Sequence, residues 1–357
     1  LEFLQRYAEE GIQLDNWWLD AGWYESEGSW VRTGTWVVDK KRYPKGIREV
    51  SDYAKSLGIK TITWFEPERV HSGTWLAQER PEWVHGGKDG GLLKLGDSEC
   101  RGWMVDRIDK IVNEEGIDIY RQDFNIDPLV FWRANDTQDR QGITEIRHVE
   151  GYFKMWDELL RRHPGMLIDS CASGGRRNDL ETLRRAVPLL RSDYIFDAVG
   201  EQCHTYGLSF WIPFNGTGFI EIEPYLVRSM MAAKFTLGSD VRRKDLNYNL
   251  LRKLIAEWRE ISDYFLGDYY PLTRYSLAED AWMAWQFNRV DLASGVVQAF
   301  RRKESTAFGS QFKLHDLEPE ATYVVKNFDN DGRTEEYSGA ELMGSGLRIV
   351  IDERPAA

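Results

Sequence analysis

The sequence predicts an α/β chain: a (β/α)8-type (TIM) barrel lacking its first strand, followed by a small antiparallel β-sandwich. Three observations carry that reading. Up to about residue 272, short apolar runs alternate with helical patterns, the sequence form of repeated βα units around a parallel sheet. The chain opens on a helical pattern, whereas in such a barrel each helix follows its own strand. Beyond Pro271 the pattern changes to two-residue alternation punctuated by turn residues. The expected boundaries are 1–272 for the barrel and 273–357 for the β-sandwich.

Residues 3–10 read as a helix and residues 14–20 (LDNWWLD) as the first strand. A helix over 45–57, closed by Gly58, leads to a second strand at 59–66 (IKTITWFE). Further strands are expected at 117–123, 166–171, 188–193, 209–215 and within 231–237, with helices at 99–115, 144–162 and 179–186 and a long closing helix at 247–265. That makes seven strands, a number that also suits an open seven-stranded sheet. The segments AWMAWQFN, ASGVVQAFRR, ATYVVKNFDNDG and SGLRIVID then read as half-buried strands joined by Asp-Gly and Ser-Gly turns. A barrel without its first strand exposes a strand edge, and such edges invite pairing, so self-association as a homo-oligomer is expected.

Composition excludes several function classes. Of the 357 residues, 42% are hydrophobic and 13% aromatic, too many for a disordered chain. The net charge of −12 argues against nucleic acid, whose binding relies on clustered Lys and Arg. No apolar run approaches the ~18 residues of a membrane span, so no membrane partner is expected. Cys100, Cys171 and Cys203 lack a CxxC spacing and the six His are scattered, which leaves no metal site. GxxxxGK[ST] and GxGxxG are both absent, so no phosphate or dinucleotide cofactor is indicated. The 15 Trp beside abundant carboxylates suit carbohydrate, because aromatic faces pack on the C–H faces of sugars while carboxylates bind hydroxyls. Filling a large core explains the same tryptophans equally well.

Barrel active sites form at the C-terminal ends of the strands. Five strand ends carry polar residues: Asp20, then Glu66 and Glu68, then Arg121 and Asp123, then Asp169 and Cys171, and finally Asp193. Two carboxylates ending different strands can face each other across a pocket, as glycoside cleavage with retention requires. Arg121 lies two residues before Asp123, where its fixed charge should keep that carboxylate ionised. Glycines in the segment 171–179 let backbone approach a ligand, and Asn178 or Asp179 can cap the following helix. Cys171 has no His in a suggestive motif nearby, so it reads as a small pocket-lining residue rather than a nucleophile.

WFEPERV, YRQDFN, DSCASGGRRND and RSD, in this order and spacing, resemble the family 36 glycoside hydrolases, the melibiase or α-galactosidase family, from about residue 14 to 240. The most specific element is Cys171, Gly174, Gly175, Arg177 and Asp179. The resemblance implies a retaining α-galactosidase acting on an oligosaccharide or other glycoside without a metal or organic cofactor. It places the nucleophile on Asp123 and the general acid/base on Asp193, with Asp20, Trp64, Lys88, Arg121, Cys171 and Gly174 around the sugar and Glu66 either hydrogen-bonding within the site or serving the structure. Departures bear on the substrate. The family's Asp-Asp-Gly-Trp is Asp20–Ala21–Gly22–Trp23, its Lys-Trp-Asp is Arg121–Gln122–Asp123, and a sugar-binding Arg falls near Lys88. Glu25 or Glu27 could replace the carboxylate lost at Ala21. The rival expectations are an α-glycosidase for a different sugar and a non-catalytic carbohydrate-binding homologue.

Overall fold

The computed structural model describes residues 1–212, 214–329 and 333–357. They fall into two compact units, Leu1–Pro188 and Leu189–Ala357. The first runs α1 (Glu2–Glu9), β1 (Asn16–Leu19), α2 (Arg48–Ser56), β2 (Lys60–Phe65), β3 (Arg69–His71), α3 (Trp75–Glu79), β4 (Gly90–Leu92), α4 (Ser98–Glu115), β5 (Ile119–Gln122), α5 (Leu129–Asn135), α6 (Ile143–Arg162), β6 (Leu167–Ser170) and α7 (Leu180–Leu183).

β1, β2, β5 and β6 form one sheet in that order, parallel throughout. The register pairs Trp18 with Ile62, Trp64 with Arg121 and Arg121 with Asp169, so all four strands finish at the same end. There the chain continues into Asp20, Glu66, Asp123 and Cys171. After Lys60 every β2 residue is buried, as a parallel strand covered on both faces should be. Of the covering helices, α4 is capped by Asp97, whose side chain accepts from the N–H groups of Glu99 and Cys100. Helix α6 buries His148, Tyr152, Met155, Trp156 and Leu159 along one stripe. Its Gly151 is required by contact, because a Cβ there would lie 2.1 Å from the Leu95 carbonyl oxygen. Trp23, Tyr24, Trp36, Trp64 and Phe65 pack together beneath the strand ends, so much of the tryptophan content is indeed core. The hairpin of β3 and β4, inserted after β2, is absent from the sequence reading.

The second unit contains α8 (Ala198–Leu208), β7 (Gly216–Phe219), α9 (Pro224–Ser229), β8 (Lys234–Leu237), α10 (Tyr248–Ile261), β9 (Asp268–Pro271), β10 (Trp282–Arg289), β11 (Ser294–Arg301), β12 (Gly309–Phe312), β13 (Thr322–Lys326), β14 (Thr334–Ser338), α11 (Gly339–Gly344) and β15 (Leu347–Val350). β7 and β8 are parallel. The later strands are antiparallel, in the order β11-β10-β9 and as the pairs β12-β15 and β13-β14. The expected Ser-Gly turn before β15 is present at Ser345–Gly346, where Gly346 has φ +91°. Ser294–Gly295 instead lies within β11, and the expected Asp331–Gly332 turn lies outside the described residues.

Two barrel strands differ from expectation. No strand forms over 188–193: Pro188 lacks the N–H a ladder needs, and the chain bends through Arg191 to Asp193. The strand expected at 209–215 lies at Gly216–Phe219, after α8 and its turn. The apolar run there misled because Phe210 and Trp211 are 61% and 45% exposed, while the true strand, GTGF, carries two glycines of low strand propensity.

Candidate active site

Four donors converge on the carboxylate of Asp123, where the chain leaves β5. Oδ2 accepts from Trp64 Nε1 at 3.0 Å and Asn125 Nδ2 at 2.8 Å; Oδ1 accepts from the backbone N–H of Phe124 at 2.7 Å and of Ser173 at 3.1 Å. Burial pushes this carboxyl up, but the bonds from Asn125 and Trp64, and after them the charge of Arg121, outweigh burial and hold it below the usual Asp range. Asp123 remains 9% exposed, so this buried anion is not sealed from solvent.

Arg121 acts on Asp123 less directly than its spacing suggests. Nη1 donates to Asp169 Oδ2 at 2.5 Å, the residue paired with it in register on β6, and the guanidinium lies 4.4 Å from the Trp18 ring. Its nearest counter-charge is therefore Asp169, and hydrogen bonds come before it in keeping Asp123 ionised.

Glu66 is wholly buried. Oε1 accepts from the Asn125 N–H at 2.5 Å, and Oε2 lies 3.3 Å from Asn125 Nδ2 and 2.5 Å from Arg69 Nη2. Burial pushes this carboxyl up to about 7, against the pull of Arg69 and Asn125 and with a further push from Asp123. Its two oxygens thus meet protein groups. Glu68 behaves oppositely. Arg177 grips it bidentately at 2.6 and 2.8 Å, His148 Nε2 lies 2.6 Å away and Gln122 Nε2 donates at 2.8 Å. Although burial raises it, Arg177 and His148 bring it down to about 2.

Arg177 also covers the Phe124 ring at 3.9 Å, so the 171–179 segment is clamped onto the β5 exit. Within it Gly174 has φ +80° and donates its N–H to Cys171 Sγ at 3.3 Å. Ser173 adopts the left-handed region at φ +47°, unusual for a residue with a side chain, and bonds Asn125 Oδ1 through Oγ at 2.6 Å. Asp179, one of the two expected caps, accepts from the N–H groups of Glu181 and Thr182 and starts α7. The segment is a strand-to-helix loop with a built-in anchor.

Trp64, Glu66, Arg121, Asp123, Cys171 and Gly174 are thus gathered at one end of the first unit's sheet. Asp20 ends β1 at the same side, exposed, with Oδ1 accepting from the Ala21 N–H at 2.7 Å. Lys88 is exposed on the one-turn helix Gly87–Asp89 ahead of β4, whose Leu92 packs with Phe124 and Ala172. Asp193 belongs to the second unit, exposed on a bend. Two residues before it, buried Arg191 ties the bend down by bonding Glu201 Oε2 at 2.8 Å, Thr205 Oγ1 at 2.7 Å and Asn215 Oδ1 at 3.0 Å. Among the described residues no three His, Cys, Asp or Glu side chains gather as a metal site. Sequence reasoning missed the parts played by Asn125, Ser173 and Arg69, although each lies inside a segment that carries the resemblance (YRQDFN, DSCASGGRRND and WFEPERV), and set aside His148 as one of a scattered set.

Comparison with known proteins shows the family. The family model for melibiase matches residues 1–219. The chain belongs to the melibiase family. A second model, the glycosyl hydrolase family 36 C-terminal domain, matches residues 282–353 of this melibiase-family chain. Among curated relatives, α-galactosidase Mel36A of Lactobacillus acidophilus is 27% identical over 96% of the chain and 49% of its own length. α-Galactosidase AgaA of Geobacillus stearothermophilus is 24% identical over 96% and 49%. Among solved structures, the α-galactosidase from Lactobacillus brevis superposes with a TM-score of 0.85 at 22% identity, covering 99% of this chain and 50% of that one. A variant of AgaA in complex with raffinose gives 0.83 at 20%, over 99% and 52%. The fold of this melibiase-family chain is accordingly a (β/α)8-type barrel followed by an antiparallel β-domain. The chain spans about half the length of the curated relatives it matches.

Proposed function

We propose that the protein is a retaining α-glycoside hydrolase of the α-galactosidase type, removing terminal α-linked galactose-like sugars from oligosaccharides. The observation that carries this reading is the Asp123 carboxylate, kept ionised by four donors at a barrel strand end yet not sealed from solvent. In the first displacement an Asp123 oxygen bonds the anomeric carbon as the bond to the leaving oxygen breaks, and Asp193 protonates that oxygen. In the second, Asp193 takes a proton from water, water bonds the same carbon, and Asp123 is released. Asp20, Trp64, Lys88, Arg121, Cys171 and Gly174 form the sugar subsite in this proposal, and the catalytic barrel ends at residue 272. No metal or organic cofactor enters the scheme. The substrate class is supported by the relatives named α-galactosidase and by the AgaA complex with raffinose.

The test uses an aryl α-galactoside. Asp123→Ala and Asp193→Ala should each lower kcat/KM by about 10⁴-fold or more, and proton NMR should find the α-anomer of the sugar released first. Initial release of the β-anomer would overturn retention. Ala21 favours a second reading, a related α-glycosidase of different sugar specificity, which a panel of aryl α-glycosides would reveal. A non-catalytic carbohydrate-binding homologue would cleave none of them.

A further inference from the structure

We propose that Glu66 is a positioning residue: it fixes the nucleophile Asp123 through Asn125, and its protonation releases that hold. The inference rests on the reading of Asp123 as the nucleophile and deepens it.

Asn125 is gripped from three sides. Its backbone N–H donates to Glu66 Oε1, its Nδ2 donates to Asp123 Oδ2 and lies 3.3 Å from Glu66 Oε2, and its Oδ1 accepts from Ser173 Oγ. The two carboxylates settle which end of the amide faces them, since ionised carboxylates only accept: the NH₂ must face Glu66 and Asp123, which leaves Oδ1 to accept from the Ser173 hydroxyl at 2.6 Å. Asn125 is thus a fixed spacer between a fully buried carboxylate and the nucleophile. Burying a carboxylate is costly, and an amide side chain could accept a hydrogen bond from a backbone N–H just as well. A buried glutamate at this point therefore calls for a use of its charge.

The groups facing Glu66 set how that charge behaves. Arg69 on β3 approaches Oε2 at 2.5 Å, Asp123 and Asn125 come from the β5 exit, and the Tyr24 phenol, from the segment after β1, feels the charges of Glu66 and Arg69. Burial pushes the Glu66 carboxyl up to about 7. Ionised, both oxygens accept from Asn125, and the charge is balanced by the Arg69 guanidinium. Protonated, one oxygen becomes a donor facing other donors, Asn125 loses a holding contact, and Asp123 loses a firm partner at Oδ2. Turnover should therefore rise with pH as Glu66 ionises.

The experiment is the pH profile of kcat and KM on an aryl α-galactoside, using the native full-length protein, Glu66→Gln, Asn125→Ala and the double variant. Glu66→Gln keeps an acceptor but removes the titration. Its acid limb should move down by about one pH unit or more and its plateau kcat should fall about 10- to 100-fold, with KM changed by less than about 3-fold. Asn125→Ala should show the same loss, and the double variant should be no worse than either single one. An unmoved acid limb in Glu66→Gln, additive losses, or a raised KM at constant kcat would each overturn the proposal; the last would make Glu66 a direct sugar contact. Should Glu66→Gln fail to fold, Asn125→Ala tests the same link from its other end through the same shift of the limb. Azide rescue of Asp123→Gly keeps the two readings apart. Full activity of Asp123→Gly sinks the nucleophile itself, whereas rescue by azide with an unmoved acid limb in Glu66→Gln sinks only the role given to Glu66.

Discussion

At the scale of single residues, the proposed function predicts that substrate choice turns on Ala21. A site that binds a hydroxyl through a buried carboxylate rejects sugars lacking that hydroxyl, because the carboxylate is left unpaired. Here Asp20 is exposed, Ala21 packs against the aromatic core, Glu25 is exposed and Glu27 pairs with Arg32 at 3.1 Å. Neither glutamate suggested by the sequence is a buried carboxylate. Selectivity for galactose over glucose should therefore be relaxed, and Ala21→Asp should sharpen it, as read from kcat/KM on paired aryl α-glycosides. A wild type that already separates the two by ~10⁴-fold would show that Ala21 is not the determinant. Asp123 was legible in the sequence because a carboxylate just after an apolar strand has one natural place in such a sheet. Asn125 was not, since its importance lies in joining Asp123 to Glu66, a residue 59 positions before Asn125 in the chain.

At the scale of elements, the segment between β6 and α7 derives its shape from one ion pair. Arg177 lies half-buried over Phe124 and Tyr152 with Glu68 as its counter-charge. Arg177→Ala would strand that carboxylate without its strongest partner, and should cost about 3–5 kcal/mol in urea denaturation. Ser173 would lose its register against Asp123, so kcat should fall as well. Retention of both wild-type stability and kcat would show that the segment holds itself. The sequence revealed this segment through its glycines and its strand-to-helix setting, but not its anchor, because Glu68 is 109 residues away. The same logic separates the well-read elements from the others. Local periodicity sufficed for β2, α4 and α6, whereas β7 was misplaced because glycine-rich strands owe their formation to neighbours rather than to their own side chains.

At the scale of the whole chain, three buried glutamates give stability a peaked pH dependence. Glu68 in the first unit and Glu201 in the second are both held at about 2, below the ordinary 4.5, by Arg177 and Arg191 despite burial. Their contribution, on the order of 3 kcal/mol each, is complete above pH 4.5 and fades as pH falls toward 2. Glu66 has the opposite sign. Raised to about 7, it favours the folded state fully below 4.5 and loses that contribution as pH rises through 7. Chemical denaturation across pH 2–8 should find a maximum near 4.5–5, with Glu66→Gln lacking the decline between 4.5 and 7. A Glu66→Gln curve parallel to the wild type would mean that Glu66 keeps its ordinary titration in the folded protein.

The bond from the Trp64 indole N–H to Asp123 gives the proposed cycle an optical and magnetic label of its own. When the nucleophile becomes an ester, the anion accepting that proton turns into a neutral, weaker acceptor. The indole resonance of Trp64 should then shift upfield in a trapped glycosyl-enzyme, and removal of the sugar should restore it. A label already built into the protein would let the lifetime of the intermediate be followed without any added probe.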